Sequence, residues 1–290
     1  MGSRIARRLL SNGYKVTAYD VDCTRAEALI AHGAVVSGSL AALANGSKVV
    51  LSCLTDDEAV RRVYSARDGV LPHAAPGTIV LEMSTIRPQT SRELARQGAD
   101  RGVHVLDVAI SGSTPVMEQG MVTLLGGGES EIFAAVEPIF KALAKQYFHL
   151  GPSGSGTAAK LVVNTLLGVG MQAIAEACVL GEKQGLDRNQ LLTMLSKTAV
   201  VAPAHLGKLL RAVHRDYDPQ FPLRLMNKDF RLILETASDL SLTLPMTEAA
   251  FEINSEALSL GPDRDFSIVI EQMESRAQAT NASAAAAPQI

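Results

Sequence analysis

"MGSRIARRLLSNGYKVTAYD", residues 1–20, decides how the rest of the chain is read. Residues 3–10 carry a helix pattern, Asn12 and Gly13 supply a stop, and residues 15–20 form a strand that closes on Asp20. A glycine-started helix, a turn and a strand ending in an acid make the second half of a dinucleotide-binding βαβ unit. The first half of such a unit is a buried strand running into a G-x-G-x-x-G turn. Here the chain begins at what would be the last glycine, Gly2, so the first strand and part of the glycine-rich loop are expected to be missing.

Outward from that stretch, short apolar runs alternate with amphipathic helices as far as about residue 150. The strand candidates are "KVTAY", "KVVLSCL", "TIVLEM", "VHVLDVA", "MVTLL" and "QYFHL", several of them apolar on consecutive positions, as strands covered on both faces are. Helices are expected between them at 24–32, 56–63, 88–101 and 129–144. After Gly156 the strand signals stop, and helices are expected at 157–184, 187–198, 204–211, 227–240 and 246–258. The fold class is therefore α/β, a doubly wound Rossmann-type N-terminal domain lacking its first strand, followed by an all-α C-terminal domain entered by a long helix. The expected boundaries are 1–152 for the nucleotide domain, 153–275 for the helical substrate and oligomerisation domain, and 276–290 for a disordered tail without periodicity.

Composition removes several function classes. The 290 residues carry 47% hydrophobic and 20% charged side chains, as soluble globular proteins do, and a formal net charge of -3 gives no basic excess for nucleic acid. Cys23, Cys53 and Cys178 lie far apart, which offers neither a disulfide framework nor a metal knuckle and fits a reducing cytoplasm. No metal site is expected. The apolar stretch 161–181 is interrupted by Asn164, Gln172 and Glu176, so it reads as a buried helix rather than a membrane span.

Asp20 is the first candidate for chemistry. At the end of the second strand of a nucleotide unit, an acid accepts hydrogen bonds from the adenosine ribose hydroxyls and repels a 2'-phosphate, which favours NAD over NADP. Its plain alternative is to cap the helix beginning near Thr24. Arg25 lies close enough to weaken the preference without reversing it. The second candidate is "GPSGSGTAAKLVVN", residues 151–164. Glycines at G-x-x-G-x-G permit a tight turn and close backbone approach ahead of the long helix. Lys160 and Asn164, four residues apart, share one face of it. A lysine in the first turns of a buried helix needs a reason; desolvation and the helix dipole both disfavour its ammonium form, which suits a general acid/base.

The segments "MGSRIARRLLSNGYKVTAYD", "EMSTIRP", "DVAISGS", "GPSGSGTAAKLVVN" and "NKDF", in this order, resemble the β-hydroxyacid dehydrogenase family typified by 3-hydroxyisobutyrate dehydrogenase. The resemblance covers about residues 1–273 and implies a nicotinamide cofactor and a small hydroxyacid or semialdehyde substrate. It makes Lys160 the catalytic lysine and Asn164 the residue that orients substrate. Ser111, Gly112 and Ser113 would hold the substrate carboxylate, a role that an anion nest in a glycine-containing turn suits. Ser84 and Thr85 would pass near the nicotinamide, with Pro88 starting the next helix. Leu54 and Thr55 would line the cofactor cleft, where the family usually has Leu-Pro. Lys228 would reach the cofactor side, buttressed by Asp229, although a surface ion pair is an equal reading. Met1 and Gly2 would be the last two positions of Gly-Leu-Gly-x-Met-Gly, with roughly ten to twelve further residues completing strand and loop.

This chain departs from the family at Ser113, Val116 and Met117, where smaller residues are usual. Bulk at 116 and 117 is expected to reshape the substrate pocket. Ser241, where a glycine often stands, is expected to affect a helix end only. The expected activity is oxidation of a small β-hydroxyacid, or reduction of its semialdehyde or keto form, by a cytoplasmic homodimer or homotetramer. Two alternatives remain: a catalytically silent oligomerisation module of the same fold, supported by the absent strand, and an imine reductase-like enzyme, against which Lys160 argues.

Overall fold

Val49–Ser52, Ile79–Glu82 and His104–Ser111 form β3, β4 and β5, neighbours in a five-stranded sheet completed by β6 (Val122–Gly127) and β7 (Ala144–His149). The computed structural model describes residues 1–285 and divides into two compact units, one spanning Met1–Leu161 and the other running from Val162 onward. Helices α1 (Gly2–Ser11), α2 (Cys23–Glu27), α3 (Leu40–Asn45), α4 (Asp57–Ser65), α5 (Pro88–Ala99), α6 (Thr114–Glu118), α7 (Ser130–Ala135) and α8 (Glu137–Leu143) belong to the first unit. Thr17–Ala18 and Val35–Val36, β1 and β2, pair in parallel as a separate two-stranded sheet.

Alternation along the central strands sorts their side chains between two apolar layers. Val50, Val80 and Val105 face a layer with Ala44 of α3, Val60 and Tyr64 of α4, and Leu94 of α5. Leu81, Met83, Leu106 and Val108 face the other, with Ile5 and Leu9 of α1 and Phe140 and Leu143 of α8. Strands covered on both sides are apolar on consecutive positions, as their sequence indicates.

The sheet is mixed rather than wholly parallel. β3, β4 and β5 run parallel, β6 is antiparallel to β5, and β7 is parallel to β6. The link from β5 to β6 holds only residues 112–121 and the short α6, too little for a crossover, which needs a dozen or more residues. The helix expected at 129–144 is two helices broken at Val136, because Pro138 lacks the N–H an uninterrupted helix would need and instead stands in the first turn of α8. Residues 24–32 likewise divide into α2 and a 3-10 turn, Ile30–His32, which Gly33 ends in the left-handed region at φ 95°.

The second unit is helical: α9 (Ser155–Lys183, which begins in the first unit), α10 (Arg188–Leu195), α11 (Pro203–Val213), α12 (Leu223–Asp239), α13 (Pro245–Ala257) and α14 (Val269–Ala285). At 29 residues α9 is long and apolar enough to cross a membrane by length and composition. Its buried side carries Asn164, Met171, Gln172, Ala175 and Cys178, and Gly168 admits Phe230 and Met226 of α12, so one side of it packs into the helical core while the other stays exposed. The tail expected to be disordered from 276 instead continues α14 to Ala285, in keeping with the helix propensity of its alanines; 286–290 lie outside the described residues.

A buried ion pair ties α11 to the segment entering α12 and α14. Lys208 Nζ donates to both oxygens of Asp265 at 2.7 Å and lies 4.5 Å from the centre of the Phe266 ring. Asp265 also accepts the amide N–H groups of Gln220 and Phe221 at 3.1 Å and the Ser267 hydroxyl at 2.8 Å. Replacing Lys208 by Met keeps the volume but leaves a carboxylate buried without its cation. Equilibrium denaturation is expected to show a loss of about 3–5 kcal/mol.

Candidate active site

Three polar side chains stand abreast where apolar residues would be expected. Ser52, Glu82 and Asp107 are register partners on β3, β4 and β5, on the same side as Val50, Val80 and Val105. Glu82 and Asp107 are almost wholly buried. Neither was singled out from the sequence, although a signal exists: each is a lone acid inside an otherwise apolar strand, and a buried carboxylate must find donors.

Asp107 finds them at the start of α9. Its carboxylate accepts Gly154 N–H and Thr157 N–H, each at 2.8 Å, and the Thr157 hydroxyl at 3.2 Å. Ser91 of α5 meets the same hydroxyl at 3.2 Å. The amides of a helix N-terminus are unpaired and carry positive partial charge, so an acid is a natural partner there. Burial pushes the Asp107 carboxyl up, and these amide hydrogen bonds oppose the rise. The approach is close enough to explain the glycines of residues 151–164. A Cβ on Gly156 would meet Leu125 O and, at 2.5 Å, Asp107 O; one on Gly127 would lie 2.7 Å from Asp107 Oδ1 and 2.8 Å from Pro152 O. Gly154, at φ 93°, also takes a conformation that other residues rarely adopt.

Glu82 binds across the strand ends. It accepts from the Ser52 hydroxyl and from Ser84 N–H at 2.7 Å, while Tyr64 OH of α4 donates to Ser52 Oγ at 2.6 Å. Ser84 Oγ accepts Leu54 N–H at 2.7 Å. Ser84 is 1% exposed, so its hydroxyl joins two strand exits rather than projecting from one. Thr85 is half-buried beside it, and the exposed Thr55 donates to Asp56, the N-cap of α4.

These exits lie at the carboxyl ends of parallel strands, where open α/β sheets take their ligands. At the β5 exit, Ser111 and Ser113 are half-buried and Gly112 is exposed. Gly112 has φ 148°, and a Cβ there would lie 2.7 Å from Val122 Cγ1. Ser113 is the N-cap residue of α6 but makes no side-chain cap bond, which leaves its hydroxyl uncommitted to that helix. Met117 does not reshape this turn: it is 0% exposed, in the core that holds Ile5 and Leu9 of α1.

Asp20 is half-buried and accepts Asp22 N–H at 3.0 Å. It is Asp22, not Asp20, that caps α2, accepting from Thr24, and Arg25 pairs with Asp22 at 3.1 Å. The N-terminus of α1, at Met1 and Gly2, has no side-chain cap and no acid in its first turn.

Lys160 is half-buried in the second turn of α9, and Asn164 follows one turn later, fully buried. Asn164 Nδ2 donates to Asp229 Oδ2 at 2.5 Å, and Lys228 Nζ lies 3.0 Å from Asp229 Oδ1. Asp229 thus bridges Asn164 and Lys228. Asn164 Oδ1 is buried and has no hydrogen-bond partner among the described residues.

Residues 1–151 match the model of the NAD-binding domain of 6-phosphogluconate dehydrogenase, and residues 154–273 match that of the NAD-binding region of NADP-dependent 3-hydroxyisobutyrate dehydrogenase. The chain belongs to the β-hydroxyacid dehydrogenase family. It is 34% identical to glyoxylate/succinic semialdehyde reductase 1 of Arabidopsis thaliana, over 94% of this chain and 95% of that one. Identity to an NAD-dependent L-serine dehydrogenase of Pseudomonas aeruginosa is 35%, over 93% of each. A structure described as Mycobacterium tuberculosis 3-hydroxyisobutyrate dehydrogenase with L-serine superposes with a TM-score of 0.86 at 29% identity, covering 94% of this chain and 95% of that one. As a β-hydroxyacid dehydrogenase the chain is an NAD(P)-dependent oxidoreductase of the 3-hydroxyacid class, with a Rossmann-type domain followed by a helical one.

The Asp107 cap yields a direct test. In Asp107→Asn one oxygen still accepts an amide, but the new NH2 faces the other donor. A stability loss of about 1–3 kcal/mol is expected in urea denaturation, and a larger one for Asp107→Ala, which leaves both amides unpaired.

Proposed function

We propose that this enzyme interconverts a small β-hydroxyacid and its semialdehyde or keto form, prefers NAD to NADP, and uses Lys160 as its general acid/base. The observation that carries the reading is the anchoring of the Lys160 helix: Asp107 holds the amides at 154 and 157, so Lys160 stands on a rigid element rather than on a loop. A proton-transfer group needs such fixed placement.

When bound, the cofactor supplies a hydride acceptor in oxidation and a hydride donor in reduction. In oxidation Lys160 Nζ takes the proton of the substrate hydroxyl as hydride leaves the carbon that bears it. In reduction Lys160 returns a proton to the carbonyl oxygen. Ser111, Gly112 and Ser113 bind the carboxylate through N–H and hydroxyl donors. Asn164 orients the substrate from one turn further along α9. Its uncommitted buried Oδ1 supports this role, since a buried acceptor is costly unless something donates to it. Asp20 binds the adenosine ribose, with Met1, Gly2, Leu54, Thr55, Thr85 and Lys228 as further cofactor contacts, while the buried Ser84 supports them from behind through Leu54 N–H. The relatives named for succinic semialdehyde, L-serine and 2-(hydroxymethyl)glutarate favour small substrates that carry a carboxylate.

We further propose a homodimer or homotetramer in a reducing cytoplasm. Val162, Leu166 and Leu180 form an exposed apolar stripe on α9, at 65%, 73% and 65% exposure, and a partner subunit would cover it.

Lys160→Met is expected to lower kcat by roughly 10²–10⁴-fold while the melting temperature stays near that of the wild type. Unchanged turnover in a folded variant overturns the assignment. For the cofactor, Asp20→Ser is expected to reduce the ratio of NADPH to NADH dissociation constants by roughly ten-fold, about 1.4 kcal/mol, read by nucleotide fluorescence titration.

A further inference from the structure

We infer that Glu82 is a positioning residue for the cofactor: its carboxylate clamps the exits of β3 and β4 together, and a single proton on it loosens the clamp. The inference rests on the reading above, in which Leu54, Thr55 and Thr85, at the exits that Ser84 joins, meet the nicotinamide cofactor. No residue of the proton-transfer step is involved.

The geometry carries it. Glu82 is 0% exposed and accepts from Ser52 of β3 and from Ser84 N–H beyond β4, while Ser84 Oγ accepts Leu54 N–H from the β3 exit. Every side-chain connection between the two exits in this network passes through Glu82 or Ser84, beside one backbone bond from Met83 N–H to Ser52 O at 2.9 Å. Such hydrogen bonds are strongest when the acceptor is charged. With the carboxylate ionised, the chain runs Tyr64 OH to Ser52 to Glu82, and each hydroxyl has an acceptor. A proton on the Glu82 oxygen facing Ser52 reverses that chain: Glu82 donates to Ser52, Ser52 donates to Tyr64, and the Tyr64 proton is left only its contact with the now neutral Glu82. Ser84 N–H then faces a neutral oxygen.

The groups around Glu82 leave its own proton as the switch. Tyr64 from α4 is pushed well above the usual phenol range, by burial first and then by the Glu82 charge. Asp107 stands at the same register on β5, committed to the α9 amides. From α5 the same layer receives Thr90, Ser91 and Leu94, and Arg61 of α4 is turned to Thr90 and Glu93. Burial pushes the Glu82 carboxyl up to about 7, against the opposing hydrogen bonds from Ser52 and Ser84.

The test is a fluorescence titration of NADH into the full chain at pH 6 and pH 8, beside Glu82→Gln. The Gln side chain can donate its NH2 to Ser52 and accept Ser84 N–H, so it mimics the protonated acid. At pH 6 the two proteins are expected to bind alike. At pH 8 the wild type is expected to bind roughly ten-fold tighter than the variant, the weight of one charge-assisted hydrogen bond. Equal or tighter binding by Glu82→Gln at pH 8 overturns the proposal. Ser52→Ala provides a second arm: without one of the bonds that favour the ionised form, the midpoint of the pH dependence should move upward. An unmoved or lowered midpoint overturns the proposal as well. Melting of the cofactor-free protein gives a readout independent of the parent reading. The folded pKa of Glu82 lies above its unfolded value, so its stabilising contribution is complete below the unfolded value and lost as pH rises through about 7. The wild type should therefore lose melting temperature between pH 6 and pH 8 relative to Glu82→Gln. Parallel melting curves remove the proton switch and overturn the proposal. The predicted melting difference with no NADH binding at either pH overturns the positioning role together with the parent reading.

Discussion

The first unit depends on one buried anion. Asp107 lies in the middle of an apolar strand, where an isolated carboxylate would cost far more than the fold could bear, and the start of α9 supplies the amides that make it tolerable. Much else follows from that contact. Helix and sheet must approach until backbone touches backbone, which requires glycine at 127 and 156 and a left-handed turn at 154. The helix so anchored carries Lys160 one turn beyond the last captured amide, so a group that must transfer a proton inherits the rigidity of the sheet.

The same problem recurs at other buried acids, and the donors available decide how each behaves. Asp265 has an ammonium group and several N–H donors; burial pushes its carboxyl up, yet Lys208 and these donors hold it below the usual range. Asp107 has amides and a hydroxyl but no cation, and its carboxyl rises. Glu82 has hydroxyl partners and a single amide but no cation, and it rises furthest, to about 7. A buried acid with weak compensation is the one poised to change its proton within the ordinary range of pH, and it sits between the strand exits that the resemblance assigns to the cofactor.

Some of the site was legible along the chain because it is local. Lys160 and Asn164 share a helix face by spacing alone, and the glycines of 151–156 announce a close approach before the partner is known. Other readings needed the fold. The cap of α2 belongs to Asp22, two residues beyond the acid considered for it, because an N-cap is fixed by the helix's actual first turn. Met117 is core rather than pocket because α6 lays it against α1, and sequence spacing does not register that contact. Pro138 breaks a helix that periodicity alone would continue.

By itself the sequence determined the α/β pattern followed by helices, the acid two residues beyond β1, the glycine-rich turn and the face shared by Lys160 and Asn164. Each of these is a periodicity or spacing set by backbone geometry within a few residues. Only the tertiary structure decided that β6 runs antiparallel, that Ser84 is spent joining Leu54 to Glu82's network, that Asp229 bridges Asn164 and Lys228, and that Asp107 anchors α9. The last three depend on which donors and acceptors meet across separations of 30 to 65 residues once water is excluded, and no local rule encodes that pairing.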